Sequence, residues 1–157
     1  MIPLRDDTER ERASRVALLA TLALLALAVV VLVSGSGGWA ALLIAVNAGF
    51  VWIFGAGAEA AAGRIWLTVA LLLGAAGGAM LAVVAGATGL GPVGAAAATG
   101  AALEAVVIHL TRCRGARIMS IVLAPYFGGF AEVPATIWAL IWAALVVVLG
   151  LLGAFGG

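Results

Sequence analysis

An all-α, polytopic membrane bundle of five transmembrane helices is the fold that this chain predicts, and three observations predict it. Hydrophobic residues make up 66% of 157 positions and charged residues only 10%, with a mean hydropathy of +1.27. So little polar side chain cannot cover the surface of a water-soluble globule. Hydropathy and breakers then divide the chain into five apolar runs, each long enough to cross about 30 Å of hydrocarbon at roughly 1.5 Å per residue. Finally, no run alternates as a membrane barrel strand would, and backbone groups in lipid must be satisfied within their own segment.

Taken in order, residues 1–15 form a polar segment with four arginines and four acids, expected to be cytoplasmic and either a short helix or disordered. The run Val16 to Val33 is 18 residues interrupted only by Thr21. It exceeds the core of about 7 to 15 residues of a cleavable leader and reads as an uncleaved signal anchor. The rest, 16–157, is one transmembrane domain whose further spans are expected at 39–56, 65–87, 92–110 and 134–152. Glycine-rich turns separate them: Ser34 to Gly38, then Gly86 to Gly91 ahead of Pro92, which suits the first turn of a helix. The stretch Ala116 to Phe130 contains Pro125 and Gly128-Gly129. It is too broken to span and is expected to lie in the cytoplasmic interface or dip partway.

Charge orients the bundle. All eight arginines (Arg5, Arg10, Arg12, Arg15, Arg64, Arg112, Arg114, Arg117) fall on one side if five helices alternate direction, whereas the opposite turns carry no charge. The positive-inside rule then puts the N-terminus in the cytoplasm and Gly157 outside, in a bacterial-type inner membrane. A net charge of +1 gives no reason to expect nucleic acid. Cys113 is the one cysteine and excludes an intrachain disulfide.

Several polar and small residues stand out within this apolar background. Glu104 lies well inside the fourth span, where an ionisable group is costly and faces protein or a water-filled cavity. Three roles stay open for it: a hydrogen-bonded structural carboxyl, a polar anchor to a partner subunit's arginine or backbone, or part of a proton or ion relay. Asn47, near the middle of the second span, suits interhelical hydrogen bonding. Glu59 with Arg64 reads as an interfacial cap or ion pair at the inner end of that span. Gly74-x-x-x-Gly78 is a small-xxx-small face that seats another helix, of this chain or of a partner. Trp39, Trp66, Trp138 and Trp142 are assigned to the interfacial aromatic belt.

Four short patterns, in order along residues 39 to 150, go further. Asn47, Trp52, Phe54, Gly55 and Glu59 hold one set of offsets, and Pro92-Val-Gly94-Ala-Ala96-Ala opens the fourth span. Arg112-Cys-Arg114-Gly-Ala-Arg117 follows that span, and Glu132-Val-Pro134-Ala135 with Trp142 starts the fifth. Together they resemble the second, fourth and fifth helices of rhomboid intramembrane proteases. The resemblance implies a rhomboid-like helical body with Gly94, Trp52 and Trp142 as packing residues. It also marks departures: Leu43 stands where the family carries its oxyanion histidine, and Ala96 where it carries the serine nucleophile. The chain stops after the fifth span, whereas family proteases add a sixth that bears the catalytic histidine, and the loop after the first span is about five residues long.

The chemical deficit also follows from the residues themselves. A serine hydrolase needs a hydroxyl beside a base and donors at the developing oxyanion. The serines are Ser14, Ser34, Ser36 and Ser120, none inside an expected span, and His109 is the one histidine, at the inner end of the fourth. Ser34 and Ser36 lie on the order of 30 Å away, across the membrane. His109 and Cys113, at i and i+4, fall short of the three or four ligands of a zinc site and are expected to be interfacial. The chain has no lysine, so no phosphate loop.

The expectation is a non-enzymatic protein that binds the transmembrane helices of other integral membrane subunits, as an accessory or scaffold component of a larger complex. No cofactor is expected, and a bound lipid or pigment stays open. Two other classes are weighed beside it: a relay or transport component using Glu104, and a residual intramembrane serine protease.

Overall fold

A computed structural model of the chain describes residues 2–6, 14–35, 37–124 and 127–155. Arg10, Arg12, Ser36, Pro125 and Gly157 lie outside the described residues. Among the described residues, five helices are long and apolar enough to cross a membrane: α1 Arg15–Val33, α2 Gly38–Ala62, α3 Arg64–Val84, α4 Leu90–Arg112 and α5 Ala135–Phe155. The second outruns its expected end by six residues, from 56 to 62. Its final turn continues past the hydrophobic run because Glu59 is held by other helices rather than by water.

Three strands complete the fold: β1 Ile2–Asp6, β2 Arg117–Ala124 and β3 Phe127–Pro134, in the order β1-β2-β3 and antiparallel throughout. This corrects two expectations. Residues 2–6 of the polar N-terminal segment are extended rather than helical or disordered, pairing from Ile2 with Ile121 to Asp6 with Ile118. The stretch after α4 is a regular hairpin rather than a broken segment, with Arg117 opposite Pro134 and Ala124 opposite Phe127. A strand satisfies its backbone through its neighbours, so Gly128 and Gly129, poor in a helix, are accommodated in the ladder. Ile118 and Ser120 are buried while Met119 between them is exposed, and Val133 is buried beside exposed Glu132. That alternation seats one face of the hairpin against the end of the bundle.

The core falls into two clusters. One joins Phe50, Phe54, Leu67, Ala105, Ile118 and Trp142, among others, toward the end that carries the hairpin. The other, built from Ala28, Val31, Ala41, Ile44, Ala95 and Ala98, fills the opposite end. Alanine dominates α4 at both, and the helices approach accordingly. Gly74 and Gly78 of α3 lie directly on the backbone of α4: a β-carbon at Gly74 would collide with the Gly100 carbonyl, and one at Gly78 with the carbonyl of Ala96. Gly100 meets Gly74 in the same way from the other side. The small-residue face of α3 therefore seats a helix of this chain. Gly94 faces Leu27 and Ile44, where a β-carbon would find methyl groups at 3.4 and 3.5 Å.

Turns are short enough to constrain the helices further. Gly63 alone separates α2 from α3, with φ +88° and ψ 158°, a conformation open in practice to glycine only. The described arginines Arg5, Arg15, Arg64, Arg112, Arg114 and Arg117 all lie at the hairpin end, since Arg5 pairs within the sheet, Arg64 reaches Glu59 and Glu59 in turn holds Ser14 and the start of α1.

Backbone contact at Gly78 sets a prediction. Replacing Gly78 by leucine should destabilise the folded protein by about 1–3 kcal/mol, because the α4 backbone cannot yield as a side chain would. Gly77 has nothing within 4 Å of a built β-carbon, so Gly77→Leu should be close to neutral. Unfolding in mixed detergent micelles, followed by circular dichroism, measures both.

Candidate functional site

Three groups of polar side chains lie within the helices. The first centres on Asn47, fully buried in the middle of α2. Its amide nitrogen donates to the Leu43 carbonyl at 2.9 Å and to the Thr99 hydroxyl of α4 at 3.0 Å. The amide oxygen accepts from the Trp142 indole of α5 at 2.9 Å. The Thr99 hydroxyl in turn donates to the Ala95 carbonyl at 2.9 Å. Both donors and the acceptor of the amide are thus occupied, and one side chain ties α2, α4 and α5 together.

Trp138 is buried, in place of the interfacial belt position expected for it, and so is Trp142, for which both a belt position and a packing role were expected. Each has found an internal acceptor, Trp138 through the Ser120 hydroxyl at 3.0 Å, which removes the need for the wet interface. Trp39 and Trp66 stay exposed, 42% and 72%, as belt residues would. Trp52, expected to pack between helices, keeps 45% of its surface exposed.

The second group is built on Glu59. Its Oε2 accepts from the Ser14 hydroxyl at 2.6 Å and from the backbone N–H groups of Val16 and Ala17 at 3.0 and 3.3 Å. Its Oε1 accepts from Arg64 Nε at 3.0 Å. A carboxylate from the last turns of α2 therefore caps the first turn of α1, a place where two orphan N–H groups and the helix dipole favour negative charge. Ser14 occupies the N-cap position but turns its hydroxyl to Glu59 instead of to its own helix. Gly55, one turn earlier, lets α1 come this close: a β-carbon there would sit 2.9 Å from that of Ala17.

The third is Glu104 alone. It is half-buried on α4, with its Cγ over Gly74 of α3, where a β-carbon would stand only 2.6 Å away. No hydrogen bond or ion pair reaches its carboxyl among the described residues. Beside it on α4, Leu103 and Val107 are 47% and 45% exposed.

Ala96 is half-buried with its carbonyl against Gly78, and Leu43 packs at the edge of the second core cluster. The described serines are committed: Ser14 to Glu59, Ser34 to the Val31 carbonyl, Ser120 to the Ile118 carbonyl and Trp138. His109 is fully buried rather than interfacial, its ring edge-on to Phe54 with centroids 5.2 Å apart. Cys113 approaches the Gly57 carbonyl, Sγ to O 3.7 Å. No group of three or more candidate metal ligands occurs among the described residues. Sequence reasoning missed Thr99, Ser14 and Ser120. The first lies on α4 five residues before Glu104, and a single hydroxyl in an alanine-rich helix leaves no trace in hydropathy.

In comparison with known proteins, the chain matches no family model, no curated protein and no solved structure.

Two substitutions test the buried groups. Asn47→Leu should cost about 1–3 kcal/mol, because each lost interhelical bond is worth roughly 0.6–2 kcal/mol in a membrane. A cycle of Asn47→Ala with Trp142→Phe should show positive coupling in detergent unfolding. Glu59→Ala should cost about 1–3 kcal/mol by leaving Ser14 and two N–H groups of α1 without their acceptor, and Glu59→Gln less, since its amide oxygen still accepts.

Proposed function

We propose that this chain is a non-catalytic, rhomboid-like membrane protein that binds transmembrane helices, as an accessory or scaffold subunit of a larger membrane complex. The observation that carries the reading is the open side of α4, where exposed Leu103 and Val107 flank a half-buried carboxyl in an otherwise alanine-rich helix. A second helix laid on that side would bury apolar surface and offer Glu104 a partner, which lipid tails do not.

The absence of enzymatic chemistry belongs to the same proposal. Hydrolysis needs a nucleophile beside a base, and Leu43 and Ala96 hold the positions at which the resemblance would place the family's polar groups. What a rhomboid body retains without them is the capacity to receive a helix from the side. A relay through Glu104 would need a file of polar groups beside it, whereas Asn47, Thr99 and Trp142 are bonded to one another and His109 lies against Phe54. In the orientation we propose, the arginine-bearing end with the hairpin faces the cytoplasm.

Purification of the tagged full chain from its native membranes in mild detergent tests the reading. A defined integral membrane protein should remain with it at fixed stoichiometry through successive columns. Recovery as a stable, partnerless monomer would overturn the proposal.

A further inference from the structure

Glu104 stands at a depth where this chain offers it nothing. Eight residues separate it from Arg112, so it lies about 12 Å along the axis from the arginine-bearing end of α4. It packs on Gly74, the middle residue of α3, which independently puts it near the centre of the apolar slab. Polar side chains at comparable depth are already engaged: Asn47 and Thr99 with each other, Trp142 with Asn47, Thr21 with the carbonyls of Ala17 and Ala48. No described arginine lies in the middle of a helix: Arg15, Arg64 and Arg112 are at helix ends, Arg5, Arg114 and Arg117 in strands or a turn, and Arg64 is taken by Glu59.

We infer that the face of α4 formed by Leu103, Glu104 and Val107 seats a partner transmembrane helix that carries a basic side chain, arginine or lysine, near its midpoint. The inference rests on the helix-binding function proposed above and names the class of partner. Charge complementarity decides the occupant. An acid isolated on an apolar face is costly in lipid, and a cation at mid-depth on another helix is costly for the same reason, so each removes the other's penalty when the two faces meet. A purely apolar helix would leave the carboxyl as it stands. A second copy of this chain would bring another acid to the same face. Gly74 contributes by its lack of a side chain, which leaves room for the Glu104 Cγ against α3.

The full chain, reconstituted in phosphatidylcholine vesicles with a donor dye on a terminal tag, can be titrated with acceptor-labelled synthetic helices. Three Leu/Ala helices of about 21 residues serve as probes, with a central Arg, Gln or Leu. Energy transfer should report saturable binding of the Arg helix about tenfold tighter than of the Leu helix, with Gln between. Glu104→Gln should bring the Arg helix down to the level of the Gln helix, whereas Glu104→Asp should keep most of the preference. Equal binding of all three helices to the unaltered protein overturns the basic-partner inference while leaving helix binding intact. Saturable binding of none overturns both. Transfer between differently labelled copies of the protein, lost in Glu104→Gln, assigns the face to self-association and also overturns it.

Discussion

A buried amide in hydrocarbon has to find all of its hydrogen-bond partners within the protein, and the way Asn47 does so organises the bundle. Its two donated bonds and one accepted bond run to the backbone of α2, to Thr99 of α4 and to Trp142 of α5. Three helices must therefore arrive at one point in the correct rotation. A shift of any one by a single residue turns its polar group away by about 100°. Hydrophobic contact alone would not impose such a register between surfaces made mostly of alanine, because lipid tails are as apolar as the helices themselves.

Elsewhere the helices hold by different means. Between α3 and α4 there is no polar bridge among the described residues; the two backbones touch through Gly74, Gly78 and Gly100, and dispersion over a long close contact supplies the adhesion. At the hairpin end the fixing is electrostatic, with the Glu59 carboxylate gathering the start of α1 and the side chain of Arg64. The exposed pair Arg117 to Glu132, 3.4 Å apart across the hairpin, adds little by comparison, since both charges keep their water. Tight packing, a hydrogen-bonded hub and a capped helix thus divide the molecule among them. Among the described residues, the Glu104 carboxyl takes part in neither the hub nor the cap.

The five helices were legible because the length of an apolar run and the placing of arginines are one-dimensional quantities. Asn47, Glu59, Arg64, Gly74 and Gly78 stood out for a similar reason: a polar or minimal side chain in an apolar run is costly unless it is used. Their partners were not legible. Thr99 is 52 residues from Asn47, Trp142 is 95 away, and Ser14 is 45 from Glu59. Nothing in composition links such positions, and so Trp138 and Trp142 were referred to the interface although each had an acceptor inside. The hairpin had left a signal. Ile118, Ile121 and Val122 make Arg117–Ala124 rich in β-branched residues, and a short connection separates it from a second apolar run. Its hydropathy hid it, because an apolar segment beside membrane helices is read first by whether it can cross.

The small sheet has a consequence for how the molecule is made. Residues 2–6 precede all five helices, yet the strand they pair with begins at residue 117, after four of them. The ladder can close only if both strands emerge on the same side, which demands an even number of crossings between them. A chain that skipped or doubled one insertion would strand its first segment across the bilayer from its mate, so completion of the sheet acts as a parity check on biogenesis.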